Sequence, residues 1–229
     1  MTHDATLVLL NYNELEGLTA LHDRLPFDQI EEVFAVDPGS TDGSVEFMKK
    51  KGIKVIHQSI RGRGEAFRIG VREAKYPHVI FFSPDGNEDP ADIVKLARAL
   101  EEGYDMAIAS RFMNESRADD ANELIKHRSF GNQMFTSFAN LLFGGHLTDS
   151  INGFRAVKRD KFLALKPDAH GFGIEFQLSI RAMKLKHRIK EIPTAEGDRI
   201  GGKSTAYTFS TGWYFVKLLW NEWLLGTRF

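Results

Sequence analysis

Residues 78–90 read HVIFFSPDGNEDP. The run His78 to Phe82 has the length and the aromatic, β-branched composition of a buried strand, and it stops at a polar turn carrying Asp85, Glu88 and Asp89. Asp89 before Pro90 is a natural helix cap, and proline suits a first helical turn, so the spacing predicts a helix over Pro90 to Glu102. Strand, acidic turn and helix together make one βα unit.

Outward from this unit the same alternation recurs. Strands are predicted at Thr6 to Leu10, Glu32 to Val36, Lys54 to Ile56 and Met106 to Ala109, with helices at Glu14 to Arg24, Thr41 to Lys50 and Gly64 to Lys75. The fold class is therefore α/β, a single domain with a mainly parallel central sheet flanked by helices. In such sheets the ligand crevice lies beyond the carboxyl ends of the strands. After residue 111 come a polar loop over 114–122, a long helix from Glu123 to Phe143, a strand at Gly153 to Val157, a helix at Gly173 to Met183 and a strand at Arg188 to Ile192. The stretch AEGDRIGGKST, Ala195 to Thr205, is a Gly-rich charged loop, and a last helix runs from Phe209 to Leu225.

The chain of 229 residues is long enough for one well-filled domain or one domain with an appended element. Its 30 basic and 31 acidic residues nearly cancel, which argues against a general nucleic-acid binder. Without cysteine there is no disulfide framework, thiolate nucleophile or zinc-thiolate site, and the eight histidines show no paired metal spacing. The start MTHDATLVLL lacks the basic and long apolar regions of a signal peptide, and no apolar run reaches the roughly 18 residues of a membrane span. A cytoplasmic location is expected.

Three polar clusters fall at the crevice: Asn11 to Glu14, Asp37 to Gly43 and the turn SPDGNEDP. Asp85 and Asn87 alternate along the backbone and could direct two oxygen ligands to one side, as a hard divalent cation requires, or could serve ordinary turn chemistry. DPGSTDGS, 37–44, begins with a carboxylate able to accept hydrogen bonds from a base or ribose, or is a plain Gly-rich turn. Arg61 to Ala66, RGRGEA, offers backbone donors at a helix start and is not a dinucleotide fingerprint.

In order, NYNE at 11–14, DPGSTDGS at 37–44, GRGEAF at 62–67, FFSPDGNEDP at 81–90, SRF at 110–112, DSINGFRAVKRD at 149–160 and EIPTAEGDRIGGKS at 191–204 resemble the family 2 glycosyltransferases of GT-A fold. The branch most similar is that of the dolichyl-phosphate mannose synthases and bacterial polyprenyl-phosphate glycosyltransferases. The resemblance implies an inverting hexosyltransferase with a UDP- or GDP-sugar donor, Mg2+ or Mn2+ as cofactor, and polyprenyl phosphate ahead of a saccharide hydroxyl as acceptor. It covers about residues 5 to 205, so the domain is expected over 1–205, followed by a C-terminal element over 206–229. By position it puts Tyr12, Glu14, Asp37, Gly64, Ser83, Pro84 and Arg111 at the nucleotide sugar, Ser83, Asp85 and Asn87 on the metal, and Arg128, Arg199 and Lys203 at acceptor or donor phosphates. Asp85 and Asp149 are the expected catalytic residues.

Two positions depart from the family pattern: Ser83 stands for the first acid of D-x-D, and Pro38 for the second acid of a D-D pair. The acceptor decides whether a base is needed. A sugar hydroxyl requires one, with Asp149 ranked before Glu175, whereas a lipid phosphate is largely ionised at neutral pH. The rival of another class is a catalytically weak sugar-nucleotide-binding protein. A pyrophosphorylase would want a Gly-rich basic loop after the first strand, and NYNELEG is not one.

The final stretch, FSTGWYFVKLLWNEWLLGTRF, gathers Trp213, Trp220, Trp223 and seven other apolar or aromatic residues around a narrow stripe of Lys217 and Asn221. Such a helix either lies at a membrane surface, which would make the protein peripheral, or packs on the core or in a homodimer contact.

Overall fold

The computed structural model describes residues 2–113, 123–200 and 208–229, with side chains from 129 and from 212 onward in the last two intervals. Among these residues one sheet is built from β1 His3–Leu10, β2 Ile30–Asp37, β3 Lys54–His57, β4 His78–Phe82, β5 Met106–Ser110, β6 Arg155–Lys158 and β7 Ile189–Pro193, in the order β3-β2-β1-β4-β6-β5-β7. The helices are α1 Leu15–Leu21, α2 Ser44–Lys50, α3 Arg63–Glu73, α4 Asp92–Glu101, α5 Glu123–Phe143, α6 Arg159–Leu165, α7 Gly173–Lys184 and α8 Thr208–Leu225, with a 3-10 turn at His22–Arg24 after α1.

β1 pairs in parallel with β2 and β4, β2 with β3, and β5 with β7. β6 runs antiparallel to both β4 and β5 and lies between them. The strand runs are apolar without alternation because both faces are covered. On β1, Leu7 and Leu9 enter one core with α1 and α4 while Val8 and Leu10 enter another with α3, α6 and α7; on β4, Ile80 and Phe82 divide from Val79 and Phe81 in the same way. A third cluster joins Phe135 and Ala139 of α5 to Phe176 and Ile180 of α7 and to Phe215, Leu218 and Leu219 of α8.

The strand expectations hold to within a few residues. The helix expected from Thr41 begins at Ser44 because Asp42 binds the chain ahead of it: its carboxylate accepts Ser44 N at 3.0 Å and Leu15 N at 2.9 Å, and Gly43 takes φ +94°. The helix expected from Pro90 begins at Asp92 with Ala91 at its cap position, and Asp89, expected to cap it, holds the preceding turn by accepting Ala91 N at 3.1 Å. The short α6 was not anticipated. The expected boundary between residues 205 and 206 lies outside the described residues. Within them α8 is no appendage, since its Glu222 is buried against α7: Gln177 and Arg181 donate to Oε1 at 2.9 and 2.8 Å, and Lys184 to Oε2 at 2.6 Å.

Candidate active site

The loops after β1, β2, β4, β5 and β7 leave the sheet at one edge. Because β6 is reversed, the loop that enters it, 149–154, lies at that edge too. Together they enclose a cavity of about 870 Å³, completed by α5 through Gly131, Asn132 and Phe135, by Gly171, Phe172 and Glu175 around the start of α7, and by Gly212 and Phe215 of α8. Among the described residues four guanidinium groups line it: Arg61, Arg63, Arg111 and Arg199.

At the β1 end, Tyr12 lies on the wall with the Arg61 guanidinium 4.1 Å over its ring. Gln58 ties the loop carrying Arg61, donating to Ile60 O at 2.6 Å and Gly62 O at 2.7 Å. Asp37, expected in the nucleoside pocket, is buried just beneath the wall and is not part of it. Its oxygens accept Asn11 Nδ2 at 2.6 Å, Gly39 N and Ser40 N at 2.7 Å each, and Ser40 Oγ at 2.5 Å. Asp37 thus shapes the turn that presents Pro38.

The SPDGN turn brings Ser83, Asp85 and Asn87 to the cavity, as expected. Pro84 does not reach it; a Cβ on Gly17 of α1 would lie 2.0 Å from Pro84 O, so this residue is where helix and turn touch. Asp85 accepts Asn87 N at 3.1 Å on Oδ1 and Arg199 Nη1 at 2.8 Å on Oδ2. The other end of the Arg199 guanidinium is bound to Glu14 Oε1, and Glu14 Oε2 is buried without a protein partner. Burial lifts the Glu14 carboxyl to about 7 against the pull of Arg199. Glu88, whose Oε2 accepts Ser83 N at 2.7 Å, is lifted to about 8 by burial and by Asp85. The loop after β7 is pinned over the turn by Gly197 N to Asn87 O, 3.0 Å, and Ile200 N to Asp85 O, 2.7 Å.

Ser83, expected on the metal, gives its hydroxyl to Arg63 instead, which donates from Nη1 at 3.1 Å. Gly64 is not on the wall; it lets α3 approach Ala169, whose carbonyl oxygen would lie 2.2 Å from a Cβ there. Arg128 and Lys203 lie outside the described side chains, and of the three expected phosphate ligands Arg199 alone can be placed.

Asp149 differs most from expectation. It is fully buried, away from the wall, and Arg111 grips it with Nε at 2.7 Å and Nη2 at 3.1 Å. Asn152 N and Ile151 N close on the same carboxylate at 3.1 and 3.3 Å. Burial works against the Arg111 cation, and Asp149 overcomes it and raises the pKa above the usual arginine range. An acid so engaged positions Arg111 and has no lone pair turned to a substrate. Glu175 is on the wall, where Arg63 Nε binds its Oε1 and its Oε2 is buried without a protein partner. Arg155 was overlooked. It is wholly buried and braces the 149–154 loop through Asn152 O at 2.8 Å, Glu175 O at 2.9 Å and Ser179 Oγ at 3.2 Å, with its pKa lowered to about 10 by burial. Its place in I-N-G-F-R, directly before the apolar pair Ala156 and Val157 of a strand, was the available signal.

The protein share of a metal site is small. Among the described residues no group of three or more His, Cys, Asp or Glu could hold an ion. Asp85 and Asn87 remain, beside the orphaned Glu14 oxygen, and this suits Mg2+ or Mn2+ shared with diphosphate oxygens and water, since Mg2+ is commonly held by one or two carboxylates plus substrate phosphates.

The family model described as glycosyl transferase family 2 matches residues 6–165. Glycosyltransferase AglJ of Haloferax volcanii is 29% identical over 206 residues, 89% of this chain and 67% of that relative. Undecaprenyl-phosphate mannosyltransferase of Micrococcus luteus is 27% identical over 211 residues, 86% of this chain and 85% of the relative. The crystal structure of glucosyl-3-phosphoglycerate synthase from Mycobacterium tuberculosis with Mn2+, UDP-glucose and phosphoglyceric acid matches with a TM-score of 0.74 at 20% identity, over 96% of this chain and 80% of that one. The last likeness is one of fold, the GT-A architecture expected from the sequence.

Proposed function

Since the chain belongs to glycosyl transferase family 2 and is a glycosyltransferase, we propose that it moves a hexose from a UDP or GDP sugar to the phosphate of a polyprenyl lipid, with inversion at the anomeric carbon. One observation carries the choice of acceptor. Asp149 and Glu175, the two carboxylates ranked as bases for a hydroxyl, are both bound by arginines, and the cavity is lined by guanidinium groups. Asp149 lies off the wall and the unpartnered Oε2 of Glu175 is buried, so a site so arranged neutralises phosphates more readily than it deprotonates an alcohol.

Tyr12 and the turn held by Asp37 receive the nucleoside, and Asp85 and Asn87 face the diphosphate. Mg2+ or Mn2+ held by Asp85 and Asn87 would screen the charge that develops on the leaving diphosphate. An acceptor phosphate oxygen forms the new bond to the anomeric carbon while the bond to the diphosphate breaks and its electrons leave with that group. A dianionic phosphate surrenders no proton in this step. Arg111, fixed by Asp149, orients the phosphate, which supports in-line approach.

Purified protein with nucleotide hexoses and Mn2+ should glycosylate polyprenyl phosphate and leave polyprenol and soluble saccharides unmodified. The rate should rise through about pH 6 with the second ionisation of the phosphate and then level. Equal transfer to polyprenol, which shares the tail and lacks the phosphate, would refute the acceptor assignment.

The surface supports delivery of such a lipid. No helix among the described residues is long and apolar enough to cross a membrane. The outer faces of α5 and α8, the helices whose inner faces line the cavity, expose Phe130, Phe138 and Leu141 and Trp213, Trp220 and Trp223, the tryptophans at 63, 61 and 53%. Tryptophan favours the bilayer interface, so peripheral docking is proposed for this face. Trp213→Ser, Trp220→Ser and Trp223→Ser combined should weaken liposome flotation at least tenfold, given about 25 cal/mol per Å² of apolar area withdrawn from water, with the thermal midpoint little changed because these rings face outward. Undiminished flotation would remove α8 from the membrane contact.

A further inference from the structure

Arg63 sits where three separated segments meet. It opens α3, donates from Nε to Glu175 Oε1 of α7 and from Nη1 to Ser83 Oγ of the SPDGN turn, and its Nη2 occupies the space over Gly153 in the loop before β6. A Cβ on Gly153 would lie 2.0 Å from that nitrogen, so the guanidinium is seated where only glycine leaves room. Phe67 and Phe172 flank it, with ring centres 5.7 and 5.9 Å from Cζ. The side chain retains 21% exposure, on the cavity wall. Of the five N–H groups a guanidinium carries, two are spent on these protein bonds.

The position matters because of what Ser83 is not. A serine there supplies no negative charge to help retain a divalent cation, and the group against its hydroxyl is itself a fixed cation. We propose that Arg63 is a diphosphate-binding residue: clamped by Glu175 and Ser83 over Gly153, it offers its remaining N–H groups to the donor diphosphate, so that nucleotide binding persists when the metal is withdrawn. This rests on the nucleotide-sugar reading of the site. A phosphate ligand could instead be that of the acceptor, which has the same chemistry, and the experiment separates the two.

UDP and GDP are titrated calorimetrically into wild type, Arg63→Gln, Arg63→Lys and Gly153→Ala, each with Mn2+ and with excess EDTA, and a short-chain polyprenyl phosphate is titrated in parallel. Wild type should keep nucleoside diphosphate affinity in EDTA within about tenfold of its Mn2+ value. Arg63→Gln should lose at least tenfold in EDTA and less in Mn2+, with Arg63→Lys in between, since lysine restores charge without the planar fork. Gly153→Ala leaves every charge in place and displaces the guanidinium, so it should copy the loss; it also decides the matter if Arg63→Gln fails to fold. Wild-type nucleotide affinity of both Arg63→Gln and Gly153→Ala in EDTA would overturn the proposal, as would a loss confined to polyprenyl phosphate. Absence of nucleotide binding by wild type even with Mn2+ would sink the donor reading itself, and this proposal with it.

Discussion

Asp85→Ala is expected to cut sugar transfer by about 10³-fold at saturating donor, the scale on which loss of one charge-stabilising group at a developing oxyanion is felt. The carboxylate is the acid of the SPDGN turn placed on both the wall and the Arg199 guanidinium. Its removal takes away the charge proposed to hold the metal and releases Arg199 from one of its anchors, while Glu14 still holds it. The loss should therefore fall on turnover, and Mn2+ should cease to improve nucleotide affinity. Single-turnover transfer and nucleotide titration, each with and without Mn2+, check both parts. Full transfer by the variant, or by wild type in excess chelator, would show that Asp85 is a turn residue and no more.

Glu222→Ala should lower the free energy of unfolding by about 3–5 kcal/mol, the cost of removing one partner from a buried ion pair. Glu222 is 2% exposed, and it faces Arg181 and Lys184 at 3 and 5% exposure. Arg181 keeps Asp168 at 2.7 Å and two backbone carbonyls, whereas Lys184 is left with Glu222 O alone among its hydrogen-bond acceptors. The lysine carries most of the penalty. Glu222→Gln retains the shape and an acceptor and should cost less. Denaturant titration at neutral pH measures all three proteins; a cost below 1 kcal/mol for alanine would mean that α8 is held by Phe215, Leu218 and Leu219 without need of the ion pairs.

Strands were legible because an apolar run covered on both faces has few other readings, and His78–Phe82 is the clearest instance. The segments composing the site were legible because each follows a strand at the same edge. Which carboxylates are free was not legible. Asp149 and Glu175 acquire their arginines from positions 38 and 112 residues away in sequence, and no local pattern reveals that a side chain is spent inside the protein. Arg63 was passed over for the same reason: GRGEAF advertises its glycines, while the partners of its arginine lie on α7 and in the SPDGN turn. Glu222 reads as lying beside the wet stripe of Lys217 and Asn221, yet on a helix Asn221, four residues on from Lys217, shares its face while Glu222, five on, is carried round, and this acid turns inward.

The reversed strand also governs how this molecule could be recombined with its relatives. β6 is threaded between β4 and β5, with Ile80 opposite Ala156 on one side and Ala107 opposite Ala156 on the other. A crossover between β4 and β5 leaves strands of different parentage zipped along the β4 border of β6, and one between β5 and β6 does so along both borders. The stretches of chain before and after β5 are therefore not exchangeable cassettes, and a chimera must inherit β4, β5 and β6 as one woven piece.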